Sequence, residues 1–380
     1  MGEGAKGPWP SPHCYPRVNT LLNHRGLRII ELGGTPAQLG RRHGELLAGD
    51  IRRVRRAFLS YLARISLYIG AWPIFGLLVF LSRVFWPYLP VGLKEEMKGV
   101  ARGAGLDLAT VLFINVLDDL ANNCPRCSVL AVGGRSSATG TGLMGRNLDY
   151  PLFIDVLVDL QTLFVLEPHQ GQPLASLAWP GYVGVCTGIN RAGVALSQLS
   201  AMSRDTTLKG LPAALRFRQA LEQEDTVDGA AAAILKAPAT IGNNVMLCGA
   251  REAVVLEISA GRSARRHPHE GLLTATNHYQ SAAMRDVKGR FPRRPPLAVL
   301  SPYHFTEAYS QARDRRLREL AGGRRLGPQD LERILADGQI ANPGTVVSLV
   351  FSPGDLTLWV AQGATPPVTQ GPFQEINLWS

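Results

Sequence analysis

Apolar and polar positions along residues 35–65, TPAQLGRRHGELLAGDIRRVRRAFLSYLARI, recur at helical spacing and predict one long amphipathic helix, with Thr35 as its N-cap and Pro36 at its first position. Before it, LRIIELGG reads as a strand stopped by its glycines. Two further helical patterns follow at residues 92–106 and 107–123, the second capped by Asp107. From Cys127 onward the period shortens. The runs at 128–132, 142–150, 156–167, 174–181, 182–190 and 193–200 are β-rich and separated by glycines, so each predicts a strand. Helical patterns return at 211–223 and 226–237, and strand patterns at 243–250, 252–259 and 271–279. A basic helix at 306–323, a short helix begun by Pro328 and a pair of strands turning at Gly354 and Asp355 close the chain. Antiparallel strands with helices grouped between them predict an α+β sandwich, and no repeat at solenoid periods is visible.

One stretch fits neither pattern. ISLYIGAWPIFGLLVFLS, residues 65–82, is uncharged, flanked by Arg64 and Arg83, and crowded with aromatic residues at its ends. It just reaches the length of a bilayer span, and Pro73 argues for a break in its middle. Three placements stay open: a helical hairpin dipping into one leaflet, a buried pair of core helices, or a span. The net charge of +10 comes mostly from arginines clustered at 52–56, 290–296 and 312–320. Such an excess suits an anionic surface, and lipid is favoured over nucleic acid because no aromatics interleave with the basic residues. Five cysteines make no disulfide framework, so a reducing compartment is the simpler reading. The opening segment MGEGAKGPWPSPHCYP lacks the apolar core of a cleavable signal, and Lys6 stands where a myristoylation site wants Ser or Thr. The expected location is membrane-associated or cytoplasmic.

Residues 122–152, NNCPRCSVLAVGGRSSATGTGLMGRNLDYPL, carry the candidate chemistry. As a redox pair, Cys124 and Cys127 would want a helix N-terminus, yet Cys127 opens a strand pattern. As half a zinc site they lack a second ligand pair, since Cys186 and Cys248 stand alone as core thiols and HPHE at 267–270 is isolated. No Gly-Lys-Ser/Thr follows the glycines, which excludes a phosphate loop, and neither metal nor cofactor is expected. A cysteine at the start of a strand has another use. If the chain is cut before it, the residue gains an α-amine whose reference pKa of about 7.7 suits a general base, so nucleophile and base share one residue. In the partner strand, Arg146 can favour the thiolate and Asp149 can orient the amine. Glycines at 133, 134, 140 and 142 let the connection fold back. His43 reads as a packing residue.

The run CSVLAV…GLMGRNLDYP resembles the start of the mature subunit of the cysteine N-terminal nucleophile (Ntn) hydrolases. These include acid ceramidase, N-acylethanolamine acid amidase, the bile salt and penicillin V hydrolases, and the acyl-CoA:6-aminopenicillanic acid acyltransferase (peptidase C45) group. Residues 28–47 and 95–120 are similar to the helical propeptide of the acyltransferase group, ATNHYQ (275–280) to its Asn-bearing loop, and residues 309–320 to the helix bringing a late arginine. The resemblance implies an αββα sandwich of antiparallel sheets. Residues 1–126 would be a mostly helical propeptide carrying the apolar insert at about 57–90, and residues 127–380 the catalytic subunit. It further implies self-cleavage between Arg126 and Cys127 into an α/β heterodimer, and an acyl-enzyme on Cys127 formed from an amide or thioester and resolved by water or an amine. In these terms Cys127 is nucleophile and base, Arg146 and Asp149 set its ionisation and geometry, Asn277 donates to the oxyanion, and the late arginine is Arg313 by the Ser-x-x-Arg-x-x-Arg pattern from Ser310, or else Arg316. One departure stands out: where many relatives carry a second Asn donor this chain reads SQLSA, with Ser200 at that place and Gln198 nearby. Losing such a donor costs about 3 kcal/mol of barrier. The expected substrate is a small N-acyl compound, lipid-like on the strength of the insert and the basic clusters. Two other classes stay open, a catalytically silent membrane-associated protein retaining the scaffold and a thiol redox protein using Cys124 and Cys127.

Overall fold

A computed structural model describes residues 20–24, 26–65, 71–121, 126–150, 154–290, 306–361, 363 and 367–379. Cys14, Cys124, Arg293 and Arg294 lie outside the described residues, as do 66–70 of the apolar insert. The chain opens with strands β1 (Thr20–His24) and β2 (Leu27–Gly34), then helices α1 (Pro36–Ile65), α2 (Ala71–Ser82), α3 (Val91–Ala104) and α4 (Leu108–Ala121). Next come β3 (Arg126–Val132), β4 (Leu143–Asp149), α5 (Ile154–Asp159), β5 (Thr162–Pro168), β6 (Leu174–Ala178), β7 (Thr187–Asn190) and β8 (Ala195–Ser200). Helices α6 (Ala213–Gln223) and α7 (Val227–Leu235) precede β9 (Asn243–Cys248), β10 (Ala253–Ile258), β11 (Ser263–Arg266) and β12 (Leu272–Ala275). The last elements are α8 (Glu307–Ala321), α9 (Pro328–Leu335), β13 (Thr345–Ser352), β14 (Thr357–Ala361) and β15 (Phe373–Asn377).

The strands form two sheets. One runs β1-β2-β5-β6-β7-β8-β9-β10-β11, antiparallel except where β2 lies alongside β5, and the other runs β12-β3-β4-β13-β14-β15, antiparallel throughout. Strand alternation sorts their side chains. Cys127, Val129 and Ala131 of β3 join Leu163, Leu177 and Leu199 of the first sheet between the two layers. Their neighbours Leu130 and Val132 point the other way, onto Leu317 of α8 and Leu331 and Leu335 of α9. The outer face of the first sheet is covered by α1, α3, α4, α6 and α7 through Leu39, Met97, Leu112, Phe217 and Ile234. Each such aliphatic or aromatic side chain contributes about 1.5–3 kcal/mol on burial. The result is the expected α+β sandwich of layers α, β, β, α.

Helix starts follow the expected caps. Thr35 Oγ1 accepts from the Gln38 N–H at 3.4 Å while the Thr35 N–H donates to Gln38 Oε1 at 2.8 Å. Asp107 Oδ1 accepts from the Thr110 N–H at 2.8 Å. A feature the hydrophobic pattern does not reveal joins α1 to α3. A Cβ on Gly40 would stand 1.9 Å from the Glu96 carbonyl oxygen, and one on Gly103 would stand 2.2 Å from that of Arg41. The two backbones therefore touch along a seam of glycines.

Three expectations change. Residues 156–159 belong to α5 rather than to a strand, and β5 begins at Thr162. There Leu157 enters the core between the sheets and accepts the Trp179 Nε1–H at 2.8 Å, a tertiary setting that overrides β propensity. The short strands β1 and β15 carry no clear alternation and went unpredicted. Pro73 falls in the first turn of α2, where its missing N–H costs nothing, not at a break. No helix among the described residues is long and apolar enough to cross a membrane. Helix α2 instead has two faces. Phe75 packs inward on Phe58 and Phe113, with ring centroids 6.1 and 5.6 Å away, while Trp72, Leu77 and Phe80 are 65%, 57% and 63% exposed.

Candidate active site

Strands β3 and β4 pair with Cys127 opposite Leu148 and Val129 opposite Arg146, so Cys127 and Arg146 are diagonal neighbours on the face turned toward the first sheet. The hairpin between them closes through Gly140, at φ 80°, and Gly142, where a Cβ would stand 2.2 Å from the Gly249 carbonyl oxygen. Arg146 Nη1 donates to the Cys186 carbonyl at 2.9 Å, and Nη2 donates to the Gln198 carbonyl at 2.9 Å and to Cys127 Sγ at 3.3 Å. Burial pushes the Cys127 thiol above its ordinary value, and the Arg146 guanidinium only partly offsets this. The sulfur is thus biased toward the protonated thiol, with the Arg146 guanidinium already aimed at it.

Asp149 lies three positions beyond Arg146 and so turns to the opposite side of the strand. Its Oδ2 accepts from Arg313 Nη1 at 2.9 Å and its Oδ1 from Thr345 Oγ1 at 2.7 Å. The same Arg313 Nη1 donates to the Cys127 carbonyl at 3.1 Å and to Ser128 Oγ at 2.9 Å, and Nη2 donates to Asn277 Oδ1 at 2.8 Å. Asn277 Oδ1 also accepts the Cys127 N–H at 2.9 Å, while its Nδ2 donates to the Ser200 carbonyl at 2.8 Å. Arg313 and Asp149 are both fully buried; burial raises the Asp149 carboxyl, and Arg313 pulls it back. Cys127 is therefore gripped at its sulfur by Arg146, at its nitrogen by Asn277 and at its carbonyl by Arg313. In this state Asp149 reaches Cys127 through Arg313 rather than directly, and Asn277 meets it as an acceptor rather than a donor.

Of the two late arginines, Arg313 joins the cluster. Arg316, one turn on, binds Asp337 through Nη2 at 2.7 Å, away from Cys127. Gln198 and Ser200 take part through their carbonyls; the Gln198 side chain donates to Asn243 Oδ1 at 2.5 Å and to Ser200 Oγ at 3.4 Å. Several contributors escaped the sequence reading. Ser310 Oγ accepts the Asn277 N–H at 2.8 Å and lies 2.9 Å from His278 Nδ1. Asn244 Nδ2 donates to the Thr276 and His278 carbonyls at 2.8 and 3.0 Å, so the Asn277 loop is held on both sides. The Ser-x-x-Arg spacing that picks out Arg313 already contains Ser310, and the Asn243-Asn244 doublet opens β9, whereas nothing local marks Thr345 or Ser128. Cys186 and Cys248 are buried free thiols, both pushed up to about 12 by burial. His43, lowered to about 3 chiefly by burial, accepts the Gly181 N–H at 2.8 Å and serves packing. Among the described residues no group of three or more His, Cys, Asp or Glu is placed to hold a metal ion.

A cleft opens beside this cluster. Leu148, the residue opposite Cys127, and Cys186, whose carbonyl holds Arg146, form one part of its lining. Phe58 of α1, Phe75 of α2, and Phe113 and Leu117 of α4 form another. The wall is overwhelmingly apolar, and the segments before and after Cys127 build it together.

The sequence profile of the acyl-coenzyme A:6-aminopenicillanic acid acyl-transferase family matches residues 136–365, a stretch that includes Arg146, Asp149, Asn277 and Arg313 and begins after Cys127. Protein dcd1A of Dictyostelium discoideum is 27% identical over 243 residues, 56% of this chain and 54% of its own length. An uncharacterized protein of Archaeoglobus fulgidus is 25% identical over 232 residues, 54% of this chain and 38% of its own. The chain thus spans about half or less of the curated relatives it matches. Among solved structures, the Caenorhabditis elegans N-acylethanolamine-hydrolyzing acid amidase ortholog aligns at TM-score 0.44 and 18% identity, over 60% of this chain and 93% of that one. A mutant conjugated bile acid hydrolase from Clostridium perfringens aligns at 0.44 and 11%, over 66% and 92%. The penicillin V acylase from Agrobacterium tumefaciens aligns at 0.42 and 15%, over 66% and 86%. On the profile match, which covers more than half of its length, the chain belongs to the acyl-coenzyme A:6-aminopenicillanic acid acyl-transferase family.

Proposed function

We propose that this chain is a self-processed cysteine amidase or acyltransferase that cleaves an N-acyl bond of a lipid-like substrate through an acyl-enzyme on Cys127. The observation that carries the reading is the threefold grip on Cys127, by Arg146 at Sγ, Asn277 at N and Arg313 at O. In processing, the thiol adds to the Arg126 carbonyl, the Cys127 nitrogen leaves as a free amine, and water resolves the resulting thioester. That amine, with a reference value of about 7.7, then takes the Sγ proton. The thiolate, favoured by Arg146, attacks the substrate carbonyl; Asn277 Nδ2 turns from the Ser200 carbonyl to the developing oxyanion. The proton passes from the α-amine to the departing nitrogen, leaving a thioester on Sγ that water hydrolyses or an acceptor amine takes over. Asp149 fixes Arg313, and through it the Cys127 carbonyl.

The lipid-like character of the substrate rests on the apolar cleft and on α2, whose outward face presents Trp72, Leu77 and Phe80 beside Arg83. A helix of this kind lies at an anionic membrane surface, and Phe75 on its inward face leads from there into the cleft. Wild-type protein should separate under denaturing electrophoresis into fragments 1–126 and 127–380, and Cys127→Ala should run as one chain of 41.1 kDa. Mass spectrometry of the larger fragment should read Cys127 first. An intact wild type that resists thiol-reactive acyl analogues would point instead to a silent scaffold. Leu77→Glu with Phe80→Glu should weaken sedimentation with phosphatidylserine vesicles while sparing processing.

A further inference from the structure

The apolar lining of the cleft carries one cation. Arg55 of α1 faces it one turn before Phe58, and its Nε is buried without a hydrogen bond. Nearby arginines are matched, Arg53 to Asp159 and Arg28 to Asp50, but Arg55 forms no ion pair among the described residues. The lining contains one carboxylate, Asp118 of α4, which accepts from the Tyr150 hydroxyl at 3.4 Å and is not paired with Arg55. Burial, then the neighbouring Asp119, pushes Asp118 up to about 7, so below that pH Arg55 is the full charge the cleft presents. A guanidinium stays protonated at any working pH, and placing it unpaired against aromatic and aliphatic walls costs solvation that an incoming anion restores through charge-assisted, two-pronged hydrogen bonds.

We infer that Arg55 determines specificity by receiving an anionic group of the substrate, so that the cleft selects N-acyl amides whose amine part bears a carboxylate or phosphate over neutral ones. This rests on the amidase reading of the same cleft, and it is tested without turnover. Full-length Cys127→Ala, which retains the closed cleft and cannot form an acyl-enzyme, is titrated calorimetrically at pH 6 with N-palmitoylglycine, N-palmitoyl-O-phosphoethanolamine and N-palmitoylethanolamine. At least one anionic ligand should bind about tenfold or more tightly than the neutral one, the scale of a hydrogen bond to a charged group, and the tighter of the two names the head group. Arg55→Met should remove the preference and Arg55→Lys should keep part of it, with Arg55→Gln as the substitute if the methionine variant does not fold. Equal affinities for neutral and anionic ligands, a preference that survives Arg55→Met, or a loss shared equally by all three ligands would overturn the inference. Failure of the wild type to release palmitate from any of them would count against the amidase reading alone.

Discussion

The main chain of Cys127 is held as firmly as its sulfur, because Arg313 bridges the Cys127 carbonyl, Ser128, Asn277 and Asp149 from a site closed to water. Removing one member of such a buried pair strands the other's charge. Arg313→Met, made in the Cys127→Ala chain, is expected to lower the unfolding free energy by about 3–5 kcal/mol, read as a shift of the denaturant midpoint at constant slope. The Arg316–Asp337 pair is the contrast: it lies nearer the surface, where solvent screens it, and Arg316→Met should leave the denaturant midpoint close to that of its parent. Cys127 and Arg146 were legible in the sequence because a glycine-rich connection between two strand patterns brings near neighbours together. Thr345 was not, since its hydroxyl reaches Asp149 from 196 residues away and only the sheet order β3-β4-β13 puts the two side by side. The choice of Arg313 over Arg316 hung on the Ser-x-x-Arg spacing alone: both sit on one basic helix, and packing decides which faces the sheet.

Helices α1 and α3 touch through glycine where pattern analysis saw ordinary amphipathic helices. Hydrophobic periodicity marks which face is buried but not how closely two axes approach, so the seam was invisible until the backbones were placed. Gly103→Ala is expected to destabilise the protein by about 1–3 kcal/mol, since the added methyl meets a main-chain oxygen that cannot rotate aside. Gly49, also within α1, has open space at its Cβ, and Gly49→Ala should stabilise by about 0.5–1 kcal/mol. Thermal midpoints of the two variants, measured side by side, check the sign of each. The same distinction explains α5. Its valine-rich residues satisfy strand propensity, and the core contact of Leu157 together with the Arg53–Asp159 pair to α1 settle them as helix.

Across the molecule, buried ionisable groups gather where the first 121 residues meet the rest. Burial pushes Asp118 up to about 7 and Asp119 up to about 6, from an ordinary 3.8, and raises Glu96 as well against the pull of Arg218. A carboxyl raised by folding keeps its proton while the unfolded chain loses it, so stability drops as pH climbs from about 4 toward 7. His43, held at about 3, has the opposite sign: its contribution is complete above 6.5 and fades as pH falls toward 3. The carboxyls outnumber the imidazole. Uncut Cys127→Ala should therefore melt at a higher temperature at pH 5 than at pH 8, and Asp118→Asn should shrink that difference. The layered architecture was readable from the alternation of patterns, but the pairing of β2 with β5 was not, because a parallel neighbour 134 residues downstream leaves no local trace (Ile30 pairs with Phe164). That pairing has a consequence for the life of the polypeptide. Residues 27–34 are woven into the sheet beside β5, so if the Arg126–Cys127 bond is cut as proposed, the N-terminal piece is expected to stay attached and to copurify with the rest. A gene trimmed to start at Cys127 would lay bare the flank of β5 as a sticky template for self-association.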